Sequence, residues 1–364
     1  MRRNESIDIA KGLGILLVVL GHNWIVDDKD GLPFILIFSF HMPLFFLLGG
    51  VYLNASTNFQ QFIRGKADTL LKPYVVVLTL LGMWHLIVGT TTPAEYFGGM
   101  LYGVGSTIEW VPMWFLPSLF VTLVFARGLL SVLNRYHYGD AGLCAVIIFL
   151  FAIGAWSIGL FADIDSKSYP VLTLIFGPTR HIIGLPFNLD LLPISAAFLL
   201  SGYLLREKIR NPVFKPMHLI AATIIFLVLN LMFPYVTDLN ARLYGNWLIT
   251  PVRAMSGIYI AISLAVLINE YSRILSRSLG YLGRISLFIL IFHGYVEWRL
   301  MVKVTAGLPI GGYSRALLGL VAAVVIPAII YEITRRVAPL AWLLLPMPKR
   351  GRASNAIAVG QASK

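Results

Sequence analysis

Apolar residues run along this chain in blocks of about 20, the length that crosses a bilayer as a helix, with short polar stretches between them. The blocks fall near 9–26, 34–53, 74–90, 114–130, 143–161, 189–205, 219–235, 251–269, 285–303 and 314–333. This pattern predicts an all-α, polytopic transmembrane helical bundle of about ten spans. No Pro/Ser-rich linker or shift in composition divides residues 1–345, which read as a single membrane domain. Residues 346–364, with Lys349, Arg350 and Arg352 followed by small polar residues, read as a basic, disordered cytosolic tail near anionic headgroups.

Composition removes the soluble alternative: 58% of the 364 residues are hydrophobic, 13% are charged, and the mean hydropathy is +0.79. A net charge of +12 is compatible with nucleic-acid binding until its distribution is drawn. Most of the 29 Lys and Arg residues sit in alternate short loops or at the same ends of spans, which is the positive-inside pattern. The charge therefore orients a membrane protein with both termini cytosolic, and no nucleic-acid partner is expected. Met1-Arg2-Arg3 before an apolar stretch has the look of a signal peptide, but His22-Asn23-Trp24 stands where a cleavage site belongs, so the segment reads as a retained first span. The one cysteine, Cys144, leaves no internal disulfide and no cysteine-based metal cluster to consider.

Against this apolar background the ionisable residues inside spans stand out, since such a group in hydrocarbon costs at least about 2.5–3.5 kcal/mol. The first two spans carry His22 and His41, and the first also holds Asp8 and Lys11. Eleven residues separate Lys11 from His22, close to three helical turns, so both project from one face about 16 Å apart. Asp8 falls within about 60° of them. One helix stripe thus carries an acid, a base and an imidazole, which reads as a site. His41 enters from the outer side and lies about 10 Å below it. A short connection makes the two spans neighbours, so the two imidazoles are expected to face one cavity.

Other polar residues are less specific. His293 and Glu297 are i,i+4 and share a face of the ninth span. Glu109, Trp110 and Trp114, at the outer start of the fourth span, suit either sugar contact or an interfacial belt. Asp190, Asn240, Arg242 and Arg253 are outer-side residues open to the same two readings. Phe46-Leu47-Leu48-Gly49-Gly50 is echoed by Phe198-Leu199-Leu200-Ser201-Gly202, and small residues there favour close helix approach. His22 and Asp27 spell a His-x4-Asp pair, but Asp27 belongs to the outer loop. Gly-x-Ser-x-Gly, His-Glu-x-x-His and phosphate-binding glycine loops are absent, which disfavours a serine hydrolase, a zinc protease or an ATP-driven pump.

The order Asp8-Ile9-Ala10-Lys11-Gly12, then His22, then His41-Met42-Pro43-Leu44-Phe45-Phe46-Leu47-Leu48-Gly49-Gly50 resembles the acyltransferase-3 membrane acyltransferases. It is nearest the branch of fucose 4-O-acetylase-like and xanthan-type exopolysaccharide O-acetyltransferases. Lys66 to Lys72-Pro73-Tyr74 is similar to the family's basic loop before the third helix. Trp114-Phe115-Leu116 is similar to its Trp-Phe-Leu element, and Ser286 to His293 to its late histidine-bearing helix. Lys11 stands where many relatives carry arginine, and Gly49 where they carry serine. A lysine offers a phosphate a point charge rather than a bidentate fork.

The resemblance implies transfer of acetyl from acetyl-coenzyme A, a co-substrate rather than a resident cofactor, to a sugar hydroxyl. The acceptor would be an exopolysaccharide or its lipid-linked precursor at the bacterial inner membrane, among membrane lipids. An alcohol attacking a thioester needs a base of pKa near 7 and donors for the developing oxyanion, and imidazole supplies the base. His22 is the candidate base, or alternatively a covalent acyl carrier; His41 is the candidate for orienting the sugar or stabilising charge. Lys11, Arg64, Lys66 and Lys72 offer cations for the donor phosphates, and Asp8 would fix Lys11. Glu109, Trp114, His293 and Glu297 are supporting or acceptor-side candidates, and no metal site is expected. A carrier or flippase for a lipid-linked saccharide is the alternative reading. A polymerase comes third, through Arg180 and His181 in the outer loop from Asp163 to Asp190.

Overall fold

A computed structural model describes residues 4–347 apart from 27 and 30. Arg2, Arg3, Asp27 and the tail cations Lys349, Arg350 and Arg352 lie outside the described residues. Most of the described residues are helical. In chain order the helices are α1 (Glu5–Gly21), α2 (Leu32–Phe38), α3 (His41–Val51), α4 (Phe59–Lys66), α5 (Lys72–Val88), α6 (Pro93–Tyr102), α7 (Phe115–Arg135) and α8 (Gly139–Ser157). A two-stranded antiparallel pairing, β1 (Ile164–Asp165) with β2 (His181–Ile182), encloses α9 (Pro170–Phe176). Then follow α10 (Leu192–Leu204), α11 (Arg206–Arg210), α12 (Pro216–Met232), α13 (Ile249–Tyr271) and α14 (Arg273–Arg284). The last are α15 (Ser286–Tyr295), α16 (Val302–Thr305), α17 (Gly312–Thr334) and α18 (Ala338–Leu344).

Seven helical stretches among the described residues are long and apolar enough to cross a membrane, and an eighth is the pair Arg273–Arg284 and Ser286–Thr305, bent by 74°. The protein is therefore an all-α, multi-pass membrane protein. The ten expected apolar blocks all form helix, but α1 and α12 have only 17 residues each. Three blocks differ in kind from the sequence expectation. The second block is two helices, α2 and α3, interrupted at Ser39 and Phe40. The third starts far earlier: Phe59–Val88 is one 30-residue helical run, so Lys66 to Lys72 is helix rather than loop. A π-helical turn at Ala67–Leu71 lies directly before Pro73, the place in the run where a proline ring and its missing N–H disturb the regular α-helical ladder. The ninth block likewise contains a π-helical turn, Val296–Met301.

Two close helix crossings fix the centre of the bundle. Where α1 meets α14, a Cβ on Gly12 would overlap the Leu279 carbonyl oxygen, and one on Gly283 would overlap that of Asp8. Where α3 meets α10, a Cβ on Gly50 would overlap the Leu199 carbonyl, and one on Gly202 that of Leu47. The repeated small-residue segments are thus the two sides of one helix contact. These crossings bury most of α1 and α3 and hold their polar residues among helices.

Candidate active site

α1 begins at Asn4, whose side chain accepts from the Ile7 N–H at 3.4 Å, and ends at His22, whose N–H bonds back to Val19. That ending brings His22 into a group of rings. Its imidazole stacks on His293 with centroids 5.7 Å apart and 28° between planes. It meets the edges of Phe38 at 5.7 Å and Trp298 at 5.6 Å. Phe38 in turn packs against His41 at 4.7 Å. His22 and His41 line one small cavity of about 50 Å³, together with Met42, Trp114, Asp238 and Trp298. The two histidines of the first two spans do face one chamber, and a third histidine from α15 lies behind them.

Two of the imidazoles are fixed in tautomer by the backbone. His41 Nδ1 lies 2.9 Å from the Ile37 carbonyl oxygen, and His293 Nδ1 lies 2.9 Å from that of Ile289 and 3.0 Å from that of Leu290. A carbonyl only accepts, so Nδ1 carries the proton in both rings and Nε2 keeps its lone pair. His293 Nε2 is buried without a hydrogen-bond partner. Close by, Asn23 Nδ2 donates to Glu297 Oε1 and, at 2.9 Å, to the Ala316 carbonyl, while Glu297 Oε2 is buried and unpartnered. Asn23 therefore ties the end of α1 to the π-helical turn after α15 and to α17. Trp298 adds a second tie, its indole N–H donating to the His22 carbonyl at 3.1 Å.

The outer loop that roofs the chamber is held by buried arginines. Arg253 donates to the Phe233 carbonyl at 2.7 Å, the Tyr235 carbonyl at 3.2 Å and Thr237 Oγ1 at 2.8 Å. Arg242 pairs with Asp190 through Nε at 2.8 Å and Nη2 at 3.0 Å, and Nη2 also reaches Asn188 Oδ1 at 3.1 Å. Asn188 Nδ2 donates to the Trp114 carbonyl at 3.3 Å, so the cluster also fixes a chamber wall. Of the outer-side residues left ambiguous by sequence, Arg242, Arg253 and Asp190 thus build the roof. Asp238 caps its turn, accepting from the N–H groups of Asn240 at 2.9 Å and Ala241 at 3.2 Å. Burial pushes its carboxyl pKa up, against the downward pull of those donors.

A second cavity, of about 190 Å³, lies towards the other end of α1 and is lined by Lys11, Ile15, Phe45, Thr69, Ser286 and, again, Met42. Met42 lines both cavities. The stripe from Lys11 to His22 therefore runs past two cavities that have one lining residue in common. Lys11 Nζ also stands 5.7 Å from the centroid of Tyr52, with Arg210 at 5.5 Å. Asp8 is buried at the α1–α14 crossing.

A profile of the acyltransferase domain, acyltransferase-3, matches residues 4–332. The chain belongs to the acyltransferase-3 family. The nodulation protein NolL of Mesorhizobium japonicum is similar to it, 30% identical over 144 residues that make up 36% of this chain and 37% of NolL. The match thus spans little more than a third of either protein's length. No solved structure matches the chain.

For this acyltransferase-3 protein, several expected site residues gather and others do not. His22, His41 and Trp114 line the chamber, and His293 and Glu297 back it. Lys11 belongs to the second cavity. Lys72 pairs with Asp68 at 2.8 Å and donates to the Leu345 carbonyl, and Lys66 stands 5.6 Å from the Phe62 ring centroid. Neither of these two lysines lines the Lys11 cavity. Glu109 sits in a neighbouring cleft, where Arg299 donates to it at 3.0 Å and His85 Nε2 lies 2.6 Å from it. Sequence reasoning did not single out Asn23, Met42 or Trp298. A buried asparagine directly after a helix-ending histidine was the one available signal, since its cost in an apolar segment demands partners.

Proposed function

We propose that this protein is a membrane O-acetyltransferase that moves acetyl from acetyl-coenzyme A to a sugar hydroxyl of an exopolysaccharide or its lipid-linked precursor. The observation that carries the reading is the pair of cavities along α1, one lined by Lys11 and one by two imidazoles, with Met42 lining both. In the orientation favoured by the basic loops, the Lys11 end faces the cytosol of a bacterial cell and the histidine chamber lies in the outer half of the inner membrane. The donor phosphates then meet Lys11, with Lys66 and Lys72 further out, and the pantetheine arm extends past Met42 towards His22.

In the chamber the acceptor oxygen attacks the thioester carbonyl while His22 takes its proton. The new C–O bond forms, the C–S bond breaks, and the coenzyme leaves as a thiol after receiving that proton. His41, with Nδ1–H committed to the Ile37 carbonyl, presents Nε2 as an acceptor and orients the sugar hydroxyl. His293 and Glu297 hold His22 from behind as positioning residues. A positioned base of this kind contributes about 10²–10⁴-fold to rate.

The test uses the full chain in lipid nanodiscs with labelled acetyl-coenzyme A and a lipid-linked oligosaccharide. Transfer by the wild type and a loss of about 10²–10⁴-fold in His22→Ala are expected. Undiminished transfer in His22→Ala removes the base assignment. A wild type that transfers nothing but moves the saccharide between leaflets is a carrier instead.

A further inference from the structure

Beside the histidine chamber lies a second outer cleft, of about 180 Å³, that shares Val111, Pro112 and Trp298 with it. Its walls are aromatic: Trp84, Trp110, Tyr295 and Trp298 all contribute. Trp110 and Tyr295 are stacked with centroids 4.9 Å apart and 14° between planes. The indole N–H groups of Trp110 and Trp298 are already spent on the carbonyls of Ile291 and His22, so these rings offer the cleft apolar surface. Such surfaces match the C–H faces of a sugar ring. An interfacial belt residue points its rings at lipid headgroups, whereas these rings line a concavity that adjoins the reactive chamber.

Charge specifies the cleft further. Its one carboxylate, Glu109, is engaged on both oxygens, by His85 Nε2 at 2.6 Å and by Arg299 Nη2 at 3.0 Å. Lys303 also lines the cleft and has no acidic partner among the described residues. Arg299 keeps most of its five donors after serving Glu109. Two exposed cations against one saturated carboxylate leave the cleft a net positive charge and unused donors at its rim. An anionic group on a saccharide can pair with them by charge-assisted hydrogen bonds, which a neutral saccharide lacks the charge to match.

We propose that this cleft is the acceptor subsite and that it takes a saccharide bearing an anionic group, a sugar carboxylate or a sugar phosphate, held by Arg299 and Lys303 with a ring laid against Trp110, Tyr295 and Trp298. The proposal rests on the acetyltransferase reading above and names its acceptor class. The shared Val111, Pro112 and Trp298 set this subsite against the His22–His41 chamber.

Tryptophan fluorescence of the full chain in nanodiscs reads binding directly. The probes are a glucuronosyl-glucose disaccharide, glucose 1-phosphate and neutral cellobiose, each titrated into wild type, Lys303→Gln and Arg299→Gln. Both substitutions fall on exposed residues. An anionic probe is expected to bind about tenfold tighter than cellobiose, as one charge-assisted hydrogen bond allows, and Lys303→Gln to erase that advantage. Preference for the uronate identifies an acidic repeat, and preference for the phosphate identifies the head of a lipid-linked sugar; either supports the subsite. Equal binding of charged and neutral probes, no binding of any, or an advantage that survives both variants overturns it. Labelled acetyl-coenzyme A in the same preparation separates the two claims: an anionic saccharide that binds but is never acetylated refutes the transferase reading and leaves the cleft.

Discussion

Two buried polar clusters lie near the histidine chamber, and they are built on opposite principles. In the roof, Arg242, Asp190 and Asn188 satisfy one another: both Asp190 oxygens accept from the Arg242 guanidinium, and the pair has 0% side-chain exposure on each side. Behind the chamber, Asn23, Glu297 and His293 leave Glu297 Oε2 and His293 Nε2 buried and unpartnered. An unmade buried hydrogen bond costs about 1–3 kcal/mol, so the second cluster carries a penalty that the first avoids. Unpartnered buried atoms also occur in the roof, at Arg253 Nε and Asn240 Oδ1, so what sets the second cluster apart is that its two open atoms belong to an imidazole and a carboxyl packed behind His22.

The comparison breaks most visibly at Asp190. Asp190→Ala strands a buried guanidinium and is expected to lower stability by about 3–5 kcal/mol, read as a large fall in the thermal unfolding midpoint in nanodiscs. Glu297→Gln keeps the acceptor for Asn23 and the shape of the side chain, so the fold should survive, while acetyl transfer falls about tenfold, the scale of one hydrogen bond. A Glu297→Gln protein that unfolds beside a stable Asp190→Ala would reverse the two roles. The smallest effect belongs to an exposed pair outside the bundle, His181 with Asp163 at 2.7 Å. The Asp163 carboxylate raises the His181 pKa, so the pair's contribution is complete below the ordinary histidine value of about 6.5 and fades as pH rises through the raised value. Unfolding midpoints should drop slightly across that window in the wild type and stay level in His181→Ala.

Legibility in the sequence followed distance along the chain. The stripe on α1 is a property of one helix, so 3.6-residue periodicity displays Asp8, Lys11 and His22 together. His41 follows from a short connection. The Asn23–Glu297 and Trp298–His22 contacts join residues 274 and 276 positions apart, and no local pattern encodes such pairings. Arg253 was hidden for a related reason. An arginine at a span end reads as an interface charge, whereas here it is fully buried and holds three groups of one loop. Helix ends were misjudged where π-helical turns let charged residues such as Lys66 and Lys72 remain helical.

Met42 lines both the Lys11 cavity and the histidine chamber. A polar passage open from one end of such a bundle to the other would also be a wire through the bilayer, and each proton crossing it would dissipate about 2.3 kcal/mol per 100 mV of membrane potential. Under the function proposed above, an unbranched, flexible thioether would suit that position, because it could yield to a slender acyl arm and close behind it. Acyl transfer through such a bundle would then leave the cell's electrical insulation intact.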